Sequence, residues 1–429
     1  MFYENYTIVL IKVFTPKHTF LNSKIQAVVN WHKFLHRAWD SSLKKKKNNG
    51  EKTLPYLESF AKNYKTRLAV IERHLQRKDY NFGKWKAVLI PKKDGGYRPL
   101  VIPNSINDKL VLKSISDYLS DSLCYVFNSV STISYAYQKG KSTRDALIQL
   151  KRIHKPCNIL LKIDIQHFFD EIDKEILIHL LNQYPIDEYV KGLIYNGINP
   201  AIDFSGFTES EIDKFPKGGI PQGNPISAIL SNIYLYELDK MAISKGWKMV
   251  RYADDMAFSV SNIRDAQLIL SQIEEYLSTN RKLTIHPLKT SLDAKTAIFL
   301  NPKKNRMKYL GVIFDGQNLS PTKECYNQLV GKIKTILKGS LNSNEKEVTL
   351  KKTIAQWCGY YAFTDIPNSQ IKWINSTINY QIGKYKLDIP KVNIADVILK
   401  TRKRQNNRLV RFFHPIQFGE EYGWLNIYD

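Results

Sequence analysis

Two aspartates stand side by side, Asp254 and Asp255, with a short apolar run before Ala253-Asp254-Asp255 and another after it. Two such runs joined by a few turn residues make a β-hairpin, so the pattern predicts an antiparallel pair of strands with acid at its tip. A third carboxylate, Asp164, lies at the end of Ile159-Leu160-Leu161-Lys162-Ile163-Asp164-Ile165, which reads as a buried strand. Carboxylates this close repel unless a cation neutralises them, and hard oxygen ligands suit Mg²⁺. Asp164, Asp254 and Asp255 are therefore a candidate site for two-metal phosphoryl transfer. An Asp-Asp pair on its own is usually a solvated turn. The surrounding chain has to supply the weight.

The first eighty or so residues read as helical and basic, with Lys44 to Lys47 and Asn48-Asn49-Gly50 marking a solvated loop. Ala87-Val88-Leu89-Ile90, the turn signal Asp94-Gly95-Gly96 and Leu100-Val101-Ile102 predict a β-hairpin. Ser105 with Asp108 resembles a capping box that opens a helix through about Leu123. Ile226, Ile229, Leu230 and Ile233 recur at helical spacing and predict an amphipathic helix from Pro225 to about Lys245. Ile263 to Leu277 reads as a helix, Tyr309 to Phe314 as another strand, and the chain from about Pro321 as basic helices. The order implies an α+β core followed by an all-helical C-terminal region.

Lys and Arg total 64 against 40 for Asp and Glu, a net charge of +24 spread along the chain, which points to a polyanion as partner. With 43% hydrophobic residues, the chain can bury a full core divided into closely packed subdomains. Cys124, Cys157, Cys325 and Cys358 form no CxxC pair, which argues against a zinc knuckle or a disulfide framework and suggests reduced core residues. The apolar run Thr7 to Phe14 is broken by Lys12, and Glu4 stands where a signal peptide would be basic. A soluble, cytoplasmic protein with no membrane partner is expected.

Tyr252-Ala253-Asp254-Asp255 is similar to the YxDD box of reverse transcriptases, and other motifs of that family stand around it in order. Lys92-Lys93-Asp94-Gly95-Gly96-Tyr97-Arg98-Pro99-Leu100 resembles the fingers hairpin, Asp164 to Asp170 the first catalytic strand and its turn, and Gly219 to Ser227 the PQG box. The resemblance covers roughly residues 85 to 365 and implies a right-hand polymerase, an RNA-directed DNA polymerase that takes RNA template, primer and dNTPs. It places an N-terminal extension and fingers at 1–155, a palm at 156–318, and a helical thumb with a basic tail at 319–429. Asp164, Asp254 and Asp255, with the carbonyl of Ile165, would hold two Mg²⁺ ions. Lys92, Arg98, Phe169, Gln222, Gly223 and Lys289 would contact the incoming dNTP, Phe169 as a steric gate against the ribose 2′-hydroxyl. Tyr309, Leu310 and Gly311 match the primer-grip hairpin. Ile354 to Tyr361 resembles the aromatic thumb helix of intron-type enzymes and reads as thumb core.

Departures bear on the subgroup. The NAxxH-like box and VTG tripeptide of retron enzymes are not found, and Asn224 and Ser231-Asn232 replace the usual group II intron residues. General likeness then leans towards stand-alone, defence-associated reverse transcriptases that copy a dedicated noncoding RNA. A group II intron-type maturase, a retron-like enzyme and an RNA-binding module without polymerase activity stay open. Lys400, Arg402, Lys403 and Arg404 are a candidate RNA anchor.

Overall fold

The computed structural model describes residues 29–49, 55–92, 95–155, 158–291, 293–301, 306–385 and 393–412, without the side chains of 43–49, 55–57 and 405–412. The run Thr7 to Phe14, Lys93, Asp94 and Cys157 lie outside these residues. Helices α1 (Trp31–Asn49), α2 (Pro55–Lys62) and α3 (Tyr64–Arg77) precede the hairpin β1 (Trp85–Pro91) and β2 (Tyr97–Pro103). Helices α4 (Ile106–Ser122), α5 (Cys124–Ser129) and α6 (Thr143–Ile153) lead to β3 (Ile159–Asp164). After α7 (Phe168–Glu171), α8 (Lys174–Asn182), α9 (Glu188–Ile198), β4 (Ile202–Asp203) and α10 (Glu209–Ile212) comes the longer α11 (Ser227–Ser244). Strands β5 (Met249–Tyr252) and β6 (Asp255–Val260), helix α12 (Ile263–Arg281), and strands β7 (Ala297–Phe299), β8 (Met307–Tyr309), β9 (Val312–Phe314) and β10 (Leu319–Pro321) follow. The described chain ends in α13 (Lys323–Lys338), α14 (Ser343–Tyr361), α15 (Asn368–Lys384) and α16 (Ile394–Phe412).

The central sheet runs β5-β6-β3-β7, and its pairings are antiparallel. Side chains alternate across it with the strand period of two. Ile159, Leu161, Ile163, Met256, Phe258 and Val260 enter the main core beneath α11 and α12, whereas Leu160, Val250, Ala257 and Phe299 face a second core. That second core is shared with α6 and the small sheet β10-β9-β8. A third core, from Tyr326 to Ile398, belongs to α13 through α16 alone. The mixed core and helical C-terminal region agree with the expected α+β class.

Six local readings need correction. Helix α1 continues to Asn49, so the Lys44 to Lys47 run is helical and not a loop. Ser105 caps α4 by accepting from the Asp108 N–H, but the Asp108 carboxylate turns away to Tyr80 and Gly83 and closes no box. Helix α11 is not simply amphipathic: Ser231, Asn232, Tyr234 and Asp239 are buried along with Ile229 and Ile233, while Ile243 near its end is exposed. Tyr309 to Phe314 is a hairpin and not one strand, with Leu310 (φ 47°) and Gly311 (φ 80°) both left-handed at its two-residue turn. In the aromatic helix, Ile354 and Cys358 are core, but Tyr360 is exposed. Of the described cysteines only Cys358 is buried; Cys124 is exposed. Among the described residues no helix is long and apolar enough to cross a membrane.

Candidate active site

The register of the central sheet puts Asp164 directly opposite Asp255 across the β3–β6 pair. Both residues share the strand face of Leu160 and Ala257, because each lies an even number of positions away. Asp254 and Ala253 form the β5–β6 turn, with Ala253 left-handed at φ 58°. The three expected carboxylates thus come together at one end of the sheet. Asp164 is 3% exposed, and its Oδ2 lies 2.6 Å from Lys295 Nζ. Asp255 Oδ1 is closed off from solvent without a hydrogen-bond partner, and Lys162 Nζ is 3.8 Å away. Burial, reinforced by the charge of Asp164, lifts Asp254 to about 6. Burial lifts Asp255 to about 7, with Lys162 opposing and Asp164 and Asp254 adding to the rise.

As the side chains stand, no cluster of three or more His, Cys, Asp and Glu among the described residues is gathered tightly enough to hold a metal ion. The Asp164 carboxylate is drawn to Lys295 instead. The donor set nevertheless fits a hard divalent cation: acceptor oxygens at one sheet end, one of them buried and unpartnered, each destabilised by its neighbours' charge. The residues flanking Ile165 are pinned, His286 N–H donating to the Asp164 carbonyl and Gln166 N–H to the Thr284 carbonyl. These bonds fix the direction of the Ile165 carbonyl.

The loop before α11 joins this end of the sheet to the β1–β2 hairpin. Ile220 N–H donates to the Phe169 carbonyl, and Val101 N–H to the Gln222 carbonyl. Gly219 (φ 69°) presses so closely on Phe169 that a Cβ would sit 2.2 Å from its carbonyl oxygen. Gly223 (φ 96°) leaves 2.7 Å between a notional Cβ and Ile102 Cγ2, so the hairpin itself supplies the crowding expected of a base pair. Gln222 Nε2 donates to Asp170 Oδ1 at 2.9 Å. Phe169 is half-buried beside Phe168, which is 3% exposed and core as expected. Phe169, Gln222, Gly223 and the hairpin therefore form one wall. Lys92 and Arg98 are exposed on that hairpin.

Several expected roles are placed differently. Lys289 is exposed and pairs through its backbone N–H with the Thr296 carbonyl, while Lys295 reaches Asp164 and Lys162 stands by Asp255. Tyr309 is 1% exposed and donates to the carbonyls of Val250 and Asp255, so it braces the sheet from within while Leu310 and Gly311 form the turn's tip. Arg402 donates to the carbonyls of Ala362 and Thr364, closing the C-terminal end of α14, which commits its guanidinium to the fold. Lys400, Lys403 and Arg404 are exposed.

Besides Lys295, three residues went unread in the sequence. Arg251 is 1% exposed and reaches both Asp239 oxygens, Asn232 Oδ1, Ser134 Oγ and the Ala253 carbonyl. It ties the Ala253-Asp254 turn to α11 and to the segment Ile133–Tyr135, which pairs with it through Tyr135 N–H to Arg251 and Arg251 N–H to Ile133. Lys141 caps the same segment, donating to the Ser131 and Ser134 carbonyls, and burial lowers it to about 8. Tyr137, left-handed at φ 57°, is raised by burial and by the charge of Asp254, with Arg98 opposing, so it stands between turn and hairpin.

Residues 90–314 match the family described as reverse transcriptase (RNA-dependent DNA polymerase), which is more than half of the chain. The chain belongs to the reverse transcriptase family. Reverse-transcriptase relatives come from introns and retrons. The chain is 29% identical over 236 residues to the putative COX1/OXI3 intron 2 protein of Saccharomyces cerevisiae, covering 52% of this chain and 25% of that protein. It is 32% identical over 154 residues to the group II intron-encoded protein LtrA of Lactococcus lactis, with coverage of 36% and 24%. Against the retron Mx162 reverse transcriptase of Myxococcus xanthus it is 24% identical over 227 residues, with coverage of 48% and 44%. The chain thus spans a quarter of the length of the first of these relatives. Among solved structures, apo telomerase from Candida tropicalis aligns over 78% of this chain and 68% of its own, at TM-score 0.44 and 13% identity.

Proposed function

We propose that the chain is an RNA-directed DNA polymerase that adds dNTPs to a primer by two-metal phosphoryl transfer. The observation that carries the reading is the cross-strand placement of Asp164 and Asp255 on one sheet face with Asp254 at the adjoining turn. In the reaction, the primer 3′-hydroxyl loses its proton and attacks the α-phosphorus; a P–O bond forms there as the bond to pyrophosphate breaks. Asp164, the Ile165 carbonyl, Asp254 and Asp255 would hold two Mg²⁺ ions, which would supply Lewis-acid charge stabilisation for the attacking hydroxyl and the leaving pyrophosphate. Lys92 and Arg98 on the hairpin pair with triphosphate oxygens, Arg98 through its planar fork. Phe169 occupies the space of a ribose 2′-hydroxyl, and Gln222 and Gly223 line the base-pair side. Leu310 and Gly311 meet the primer strand.

The same reading assigns 1–155 to an N-terminal extension and fingers, 156–318 to a palm, and 319–429 to a thumb with its tail. A separate core for α13 through α16 supports the second boundary; the first divides roles within one continuous core. For the finer role we favour copying of a dedicated noncoding RNA in defence against phage, on the sequence's departures from retron and group II intron patterns. The test is primer extension with the purified Asp254→Ala, Asp255→Ala variant, alongside sequencing of RNA that copurifies with each form. Loss of nucleotide addition in a folded variant supports the polymerase, and full activity sinks it. One discrete RNA with matching cDNA supports the dedicated template, whereas an intron RNA bound equally by both forms moves the role to a maturase.

A further inference from the structure

A cavity of about 510 Å³ opens beside the small sheet β10-β9-β8, within the size range of small-ligand sites. The sheet separates it from the carboxylates. Tyr309, Val312, Phe314 and Leu319 face the second core, where Tyr309 reaches the Asp255 carbonyl, and the alternate residues Ile313 and Ser320 line the cavity. Its other walls are the first two turns of α13, the first two turns of α15, and Arg306. The N-terminal ends of α13 and α15 both face the cavity; Glu324 sits in the first turn of α13, while α15 has no acidic residue in its first turn and adds positive potential there. Pro367, at the N-cap of α15, has no side-chain acceptor to quench it.

The lining chemistry is specific. Arg306 and Lys323 are exposed cations, Asn327 and Gln370 carry amides, and Trp373 is 43% exposed as a flat aromatic plate. Tyr326 in the same wall is 4% exposed, and its hydroxyl finds no hydrogen-bond partner. The side chains of Lys323, Asn327 and Gln370 make no hydrogen bond or ion pair with described residues. Of the nearby acids, Glu324 faces Lys308 at 3.7 Å, Asp365 faces Lys151 at 3.1 Å, and Asp315 accepts from the Gln317 and Asn318 N–H groups with the charge of Arg306 also acting on it. Cations take a phosphate, amides read a polar ring edge, and indole stacks on a flat ring. A bare anion would leave the aromatic and amide groups without use, and a duplex keeps its bases stacked and out of reach.

We infer that this cavity is a second nucleic-acid site, taking an unpaired nucleotide of a single strand away from the carboxylates. It goes beyond the polymerase reading, because its test requires no nucleotide addition. Binding of labelled oligo(U) and oligo(dT) is measured on the whole protein with excess unlabelled template–primer duplex present to fill the main groove. Trp373→Ala should weaken single-strand binding by about tenfold, the scale of one lost base stack. Trp373→Phe should restore most of it. Arg306→Gln with Lys323→Gln should reduce the salt dependence by about one to two phosphate contacts. Trp373 fluorescence should be quenched by the oligonucleotide and not by inorganic phosphate. A preference for oligo(U) identifies RNA as the source of the strand, and equal binding of oligo(dT) a site for either. The inference is overturned if the duplex competes the signal away, if phosphate quenches equally, or if Trp373→Ala binds like the parent protein.

Discussion

Every guanidinium nitrogen of Arg251 is engaged within the protein, and its Asp239 partner is held there wholly buried. Burial drives the Asp239 carboxyl upward and Arg251 opposes it, so removing the arginine strands a costly charge or forces it to take up a proton. Arg251→Met should lower unfolding free energy by about 3–5 kcal/mol in denaturant titration. Arg251→Met with Asp239→Leu should recover part of that loss, yet nucleotide addition should stay impaired, because the Ala253 carbonyl has lost its donor. Recovery of full activity in the double variant would show that Arg251 serves stability alone. At Phe169 the expectation concerns selectivity: Phe169→Ala should raise NTP use relative to dNTP, and an unchanged ratio would make the ring core. The carboxylates were legible because Tyr252-Ala253-Asp254-Asp255 stands in order with the other motifs; the adjacent pair alone would read as a solvated turn. Arg251 and Lys295 were not, since an arginine whose Ser134 partner lies 117 positions away leaves no local pattern. Lys289 was chosen from position in the sequence, and only the fold shows Lys295 at Asp164.

At the scale of elements, α8 and α12 are joined by one residue that serves two ends. Asp173 caps α8 through the Ile176 N–H at 2.9 Å and pairs with Lys282, the left-handed C-cap of α12, at 2.7 Å. The Lys282 hydrogen bond first, and the Ile176 bond next, hold its carboxyl below the usual range. A depressed folded value means that the stabilisation is full above the unfolded carboxylate range and fades as pH falls through the folded value. Asp173→Asn keeps an acceptor for the cap but loses the charge. The parent protein should therefore melt higher than Asp173→Asn above about pH 5, and the gap should narrow at about pH 3. A constant gap across that range would place the effect in the cap. The β1–β2 and β5–β6 hairpins were readable because turn residues and apolar runs are local, whereas the turn at Leu310 and Gly311 was read through as one strand. The buried polar face of α11 was not readable, because Asn232 and Asp239 answer groups brought in by Ala136 and Arg251.

Across the whole molecule, the helices α13 through α16 carry their own core and meet α6 and the small sheet β10-β9-β8 through a seam of polar contacts, beside which Tyr361 and Phe363 pack against the second core. Asp365 is the seam's main anchor. Its Oδ2 takes the Leu319 N–H at 3.0 Å and faces Lys151 at 3.1 Å, while its backbone N–H donates to the Leu319 carbonyl. Tyr361 adds a bond to Cys325, Cys325 one to the Gly311 carbonyl, and Tyr360 one to Thr143. Such exposed contacts contribute about 1 kcal/mol or less each, so the seam is weak beside the cores it joins. On the proposed polymerase reading, the first nucleotide addition would depend on the carboxylates, and continued addition would require the helical region to stay closed on the product. Asp365→Ala should leave single-nucleotide addition within about twofold of the parent protein, since less than 1 kcal/mol is at stake there. Product length from one binding event should shorten. Hydrogen exchange should rise at β10 and the end of α14 and stay unchanged in β3 and β6. If exchange rises equally in the central sheet, the two regions unfold together and the seam is no hinge; if product length holds while exchange rises only at the seam, closure of the helices does not govern continued addition.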